Sequence, residues 1–162
     1  MGAIEMLKKQ HREVEKLFAK FDALGDAAAK SKQRVFNEIA DALAMHATIE
    51  EKHFYPAVKA KRTEDILLEA LEEHLSVKRI IADLLKLEPG DDTFDAKVKV
   101  LKEQVEHHVE EEETDLFPKV KKLLTAAELA TLQTQMEATW HVLERGQPRN
   151  AVPRETEAAP RL

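Results

Sequence analysis

Two stretches of the 162-residue chain carry the same chemistry at the same spacing. His108 to Pro118 reads H-V-E-E-E-E-T-D-L-F-P, and His46 to Pro56 reads H-A-T-I-E-E-K-H-F-Y-P. Each places a glutamate four residues after a histidine. On a helix, residues four apart share a face, one turn or ~5.4 Å apart along the axis. His46 with Glu50, and His108 with Glu112, therefore aim an imidazole and a carboxylate at one spot. That is a metal-ligand pair before it is anything else.

The elements that must carry these pairs follow from the apolar periodicity. A first helix over about 3–24 has Ile4, Leu7, Val14, Leu17, Phe18 and Phe21 on one face, with His11 in the same stripe. Gly25 ends it. A second, over about 32–60 and capped by Ser31, carries Val35, Ile39, Leu43, His46, Glu50 and Phe54. Pro56 is expected to kink or break it, because its ring clashes one turn back and it has no amide donor. A third starts at Thr63 with acidic residues in its first turn and runs to about Leu87, with His74 among Leu67, Leu71 and Ile81. A fourth, capped by Asp92 or Thr93, runs to about Leu124 with Val98, Leu101, Val105, His108, Glu112 and Leu116 inward. Pro118 repeats the break signal.

Thr125 and Glu128 form a capping-box pattern that starts a fifth helix, about 126–144, expected to pack on the bundle through Trp140 and its neighbours. From Gly146 the chain becomes Pro-, Arg- and Glu-rich, and residues 146–162 read as a disordered tail. The expected architecture is all-α. Residues 1–124 form an up-down-up-down antiparallel four-helix bundle, and 125–145 a C-terminal helix packed on it.

The two halves of the bundle match at a nearly constant offset. His11 pairs with His74 at 63 residues; His46 with His108, Glu50 with Glu112 and Pro56 with Pro118 at 62. Two such halves have approximate two-fold symmetry, which brings four histidines and two glutamates to one level of the core. A single histidine in an apolar stripe is usually a hydrogen-bonded core residue. Two inward glutamates, each one turn after an inward histidine, do not fit that reading, because a buried carboxylate without a partner is costly.

Bulk properties narrow the chemistry. The net charge of −6 lacks the basic surface that nucleic acid requires. There is no cysteine, which excludes disulfides, thiolate metal sites and catalytic thiols. No apolar run approaches the ~20 residues of a membrane span. A soluble, cytoplasmic protein is expected. Four imidazoles argue against calcium and magnesium, which take oxygen shells, and structural zinc commonly takes thiolates. Imidazole with carboxylate suits iron first and manganese second.

The residues His11, His46-x-x-x-Glu50, His74 and His108-x-x-x-Glu112, with the E-E-x-x-[FL]-[FY]-P endings of both repeats, resemble the hemerythrin family, in particular its HHE cation-binding branch. The likeness covers about residues 5–120. It implies a non-haem di-iron centre with a bridging oxo or hydroxo group. His11 and His46 would bind one iron, His74 and His108 the other, and Glu50 and Glu112 would bridge them. The implied ligands are O₂, hydrogen peroxide or NO, in stress defence or sensing, with catalase-like or peroxide- or NO-reducing turnover as one outcome. A binding module that senses or stores iron or oxygen is the alternative. Oxygen-carrying members have a further histidine one turn after the third-helix histidine. Here that residue is Lys78, which argues against reversible oxygen carriage.

Neighbouring residues sort by register. Tyr55 can reach a ligand carboxylate with its hydroxyl. The Lys78 ammonium either points away from the site, which is the favoured reading, or sits near it as a further partner of the ligands. His107, His53 and Glu15 fall at helix flanks. Glu51, Glu110, Glu111 and Glu113 read as a solvated face. The fifth helix offers a face to a protein partner. Oligomeric state is left open.

Overall fold

Four long helices run antiparallel in the computed structural model, which describes residues 2–162. They are α1 (Ala3–Asp22), α2 (Ala29–Ile49) continued through α3 (Tyr55–Val58), α4 (Glu64–Leu85), and α5 (Phe94–Glu111) continued through α6 (Phe117–Leu123). A further helix, α7 (Ala126–Leu143), follows. Helix α1 packs on α2 and α4 on α5, so each half of the repeat is a helical hairpin. No strand occurs among the described residues.

The helix starts show which local signals hold. Thr125 caps α7 as expected: Glu128 N–H donates to Thr125 Oγ1 at 3.2 Å, and Thr125 N–H donates to the Glu128 carboxylate at 2.7 Å. Ser31 is not a cap, because α2 starts two residues earlier behind Ala28. Thr63 precedes α4, but its hydroxyl donates to the Val58 carbonyl at 2.8 Å and so ties the α3–α4 turn instead.

Neither proline breaks its helix. Between α2 and α3, residues Glu50–Phe54 form a π-helical turn, and Glu112–Leu116 do the same between α5 and α6. The wider turn relieves the clash between each proline ring and the carbonyl one turn back, and it costs one residue of register. That slip is what lets one helix turn both Glu50 and Tyr55 fully inward.

The core is split in two. One apolar cluster, with Leu7, Phe54, Leu71 and Phe117, lies towards α7; the other, with Val14, Phe36, Leu84 and Phe94, lies towards the α1–α2 turn. The buried polar residues His11, His46, Glu50, His74, His108 and Glu112 fall between them. Helix α7 caps the first cluster against α1 and α2. Its anchors are Leu129, Leu132 and Met136, whereas Trp140 is only half-buried.

Residues 146–162 depart most from the sequence expectation. They do not form a disordered tail. Pro148–Glu155 is a 3₁₀ segment packed against α2 and α4, with Val152 fully buried. Arg149 explains part of this: its guanidinium meets Asp41 Oδ2 at 2.8 Å and its amide donates to Asp41 Oδ1 at 3.0 Å. Arg79 donates to the carbonyls of Thr156 and Glu157. Composition misses such long-range ties, since each needs a partner more than 70 residues away.

Candidate metal centre

Each of the four bundle helices contributes one histidine, and the two π turns contribute one glutamate each. Every Nε2 faces inward. His11 Nε2 and His46 Nε2 stand 3.2 Å apart, as do His74 Nε2 and His108 Nε2. Two lone pairs at that distance repel unless a proton or a cation lies beside both. Two nitrogens each ~2.0–2.1 Å from one cation are naturally about 3 Å apart.

The glutamates lie across the two pairs rather than within them. Glu50 Oε1 is 3.3 Å from His46 Nε2 and 3.1 Å from His74 Nε2. Glu112 Oε1 is 3.3 Å from His11 Nε2 and 3.4 Å from His108 Nε2. Each carboxylate therefore reaches one histidine of each half. Both Glu50 oxygens and Glu112 Oε1 are buried without a hydrogen-bond donor. A buried anion in that state is costly and is relieved by a cation. The donor set thus fits metal cations in two adjoining groups, His11, His46, Glu50 and Glu112, and Glu50, His74 and His108.

Outside the inward ring, each Nδ1–H has an acceptor. His11 donates to Glu113 at 3.1 Å, His46 to Gln10 Oε1 at 2.7 Å, His74 to Glu51 at 2.7 Å and His108 to Glu73 at 2.8 Å. These partners hold the Nδ1–H tautomer and leave each Nε2 lone pair free for a metal. Two cations sit behind the carboxylates: Lys78 Nζ lies 2.9 Å from Glu51, and Arg12 pairs with Glu113.

Charges inside the cluster move its ionisation. Burial opposes a charge on His108, yet Glu112, Glu50 and Glu73 outweigh it and raise the imidazole well above its usual range. Burial would likewise lower His11 and His74, and their carboxylate partners raise both. Burial pushes Glu50 up, but His46, His108 and His74 hold it well below the usual carboxylate range. Burial, then Glu112 and Glu50, push the Tyr55 phenol well up, so it stays a proton donor. It donates to Glu112 Oε2 at 2.9 Å and lies 3.2 Å from His74 Nε2.

A cavity of about 40 Å³ lies against the four histidines, with walls that include Val14, Leu43, Val77, Val105 and Val152. One water needs roughly 10–15 Å³ of such space. The cavity therefore has room for a diatomic molecule or a peroxide.

A family profile described as the hemerythrin HHE cation-binding domain matches residues 2–120. The chain belongs to this family. A crystal structure of a hemerythrin HHE cation-binding domain-containing protein from Mycobacterium kansasii, a homologue of Rv2633c, superposes with a TM-score of 0.80 at 26% identity, covering 95% of this chain and 98% of that one. The Mycobacterium tuberculosis protein Rv2633c is 30% identical over 151 residues, 91% of this chain and 90% of its own length. A Nostoc sp. protein described as a DNA nickase is 26% identical over 138 residues, 85% of this chain but only 39% of that protein.

The HHE domain brings together all six residues singled out from the sequence, and Tyr55 with them. The surroundings differ from expectation. Glu51 and Glu113 are not a solvated face: each holds a histidine. Lys78 does not point away, because it is buried between Glu51 and Glu155. Gln10 and Glu73 escaped notice altogether. Their signal was in the repeat: each directly precedes an inward histidine, at the same offset of 63. His107 stays exposed at the flank, near Glu111 and Glu73. His53 bonds Thr139 of α7 at 2.7 Å and does not join the cluster. No helix among the described residues is long and apolar enough to cross a membrane.

Proposed function

We propose that this HHE domain holds two iron ions and that a small oxidant, O₂, hydrogen peroxide or NO, is bound or reduced there. The observation that carries the reading is the placement of Glu50 and Glu112, each between one histidine of either half with buried oxygens that lack a donor. When bound, the iron pair supplies reversible one-electron chemistry and open coordination positions.

The chain's own groups do the rest. The largely apolar walls of the cavity beside the histidines suit a small, weakly polar molecule. The Tyr55 hydroxyl can supply a proton beside Glu112. Lys78 Nζ is held by Glu51 and Glu155, so no fifth histidine stands at that turn of α4. This supports turnover over reversible carriage. The net charge of −6 favours a small ligand over nucleic acid.

A second reading is a sensor or store without turnover. It is favoured by two links from the site region to segments outside the family match: His53 to Thr139, and Lys78 to Glu155. Metal analysis of protein made with iron supplied tests the centre, with about two iron ions per chain expected; zinc alone or no metal sinks it. Peroxide and NO decay assays then separate the readings: iron-dependent turnover supports the enzyme, and its absence the sensor.

A further inference from the structure

The ring of Nδ1 acceptors follows the two-fold symmetry of the repeat except at one pair of positions. Glu113 behind His11 matches Glu51 behind His74, at an offset of 62. Both carboxylates are neutralised in part by a cation, Arg12 in one case and Lys78 in the other. These two arms are equivalent in charge. The other two arms are not. His46 Nδ1–H donates to the neutral amide oxygen of Gln10, whereas His108 Nδ1–H donates to the carboxylate of Glu73. Gln10 and Glu73 are themselves related by the repeat offset of 63. The symmetry thus holds in position and fails in charge.

A carboxylate on Nδ1–H makes the opposite ring nitrogen more basic than an amide does, and such partners commonly change metal affinity by about 10–100-fold. A second difference points the same way. Tyr55 places its hydroxyl 3.2 Å from His74 Nε2 and 3.4 Å from His108 Nε2. Its repeat counterpart, Phe117, offers only a ring stacked 6.0 Å from His11. The His74–His108 position therefore has, in His108, the more basic of the two unmatched imidazoles, and the Tyr55 hydroxyl beside both rings. The His11–His46 position has neither.

We propose that the two cation positions are unequal, the His74–His108 position binding its ion first and more tightly, and that Gln10 and Glu73 are the positioning residues that set the order. This rests on the two-ion reading above. The weaker ion is the one that exchanges first.

The test is a titration of the metal-free full chain with Zn²⁺, a cation without redox chemistry, followed by the nitrogen resonances of the four imidazoles. At one equivalent the Nε2 signals of His74 and His108 are expected to move, and those of His11 and His46 only at the second. In Gln10→Glu the two pairs should move together, the weaker affinity rising about 10–100-fold. In Glu73→Gln, which keeps the shape, the order should be lost by weakening of the tighter position. Circular dichroism on each variant shows that it is folded. Wild-type pairs that move together, or His11 and His46 moving first, would overturn the proposal. An unchanged order in both folded variants would overturn the role of Gln10 and Glu73. A single Zn²⁺ held only at His74 and His108 would sink the two-ion reading while supporting the inequality.

Discussion

Tyr55 sits on the helix of the first half, yet its hydroxyl donates to Glu112 of the second half at 2.9 Å. The bond crosses the bundle and holds one oxygen of a carboxylate whose other oxygen has no donor. Tyr55→Phe keeps the ring and removes only the donor. A buried acceptor left unsatisfied costs roughly 1–3 kcal/mol. The variant is expected to fold with a lowered melting temperature when metal-free, and to bind its metal about 10–100-fold more weakly. Isothermal titration reads the second effect. An affinity within a factor of about two of wild type would show that the bond does not position Glu112.

His108→Ala and Glu112→Ala should each remove more than one ligand's share. Glu112 serves both pairs, through His11 and His108. Iron content should fall to about one ion or fewer per chain, and the near-ultraviolet absorption of the iron-loaded protein should disappear. Glu110→Ala is the control, because Glu110 lies on the same helix but is exposed on its outer face. Loss of absorption in the control, or its survival in Glu112→Ala, would refute the ligand set.

The pH dependence of the metal-free protein follows from two opposite shifts. The folded-state pKa of Glu50 is depressed, so its contribution is present above the unfolded value of 4.5 and lost as pH falls through the folded one. The folded-state pKa of His108 is raised, so its contribution is full below 6.5 and lost as pH rises through the folded value. His11 and His74 act in the same direction as His108. Greatest stability is expected between these two reference values, with losses on either side. Metal binding needs neutral imidazoles, so the stabilisation by metal should instead grow with pH. Melting curves with and without metal from acid to alkaline pH check both; parallel curves would contradict the argument.

The C-terminal segment is expected to be part of the folded unit. Val152 is fully buried and forms one wall of the cavity at the histidines. Val152→Ala should cost roughly 1–3 kcal/mol in denaturant unfolding, from lost apolar burial and the space left behind. It should also speed the binding of azide or NO to iron-loaded protein, by thinning the cavity wall. A disordered segment would show neither change.

Much of the site was legible because helical register is a local property. His46 and Glu50 share a face whatever the rest of the chain does, and the neighbouring Leu43 and Phe54 say that the face is inward. Glu51 and Glu113 were misjudged for the same reason. A residue next to an inward glutamate lies about 100° round the helix, which looks like solvent from its own helix. Only the approach of His74 on α4 and His11 on α1 turns those flanks into hydrogen-bond sites. The π turns were equally out of reach, since Pro56 and Pro118 announce a disturbance but not its form.

The sequence by itself determined the helices, their inward faces and the six residues that meet, because periodicity and a repeat offset are written along one dimension. Tertiary structure decided what lies behind those residues: Gln10 against Glu73, Lys78 buried on Glu51, and a tail held by Asp41 and Arg79. Each is a contact between helices or across long stretches of chain. Such contacts depend on the distance and rotation between packed elements, and no pattern within one element carries that information.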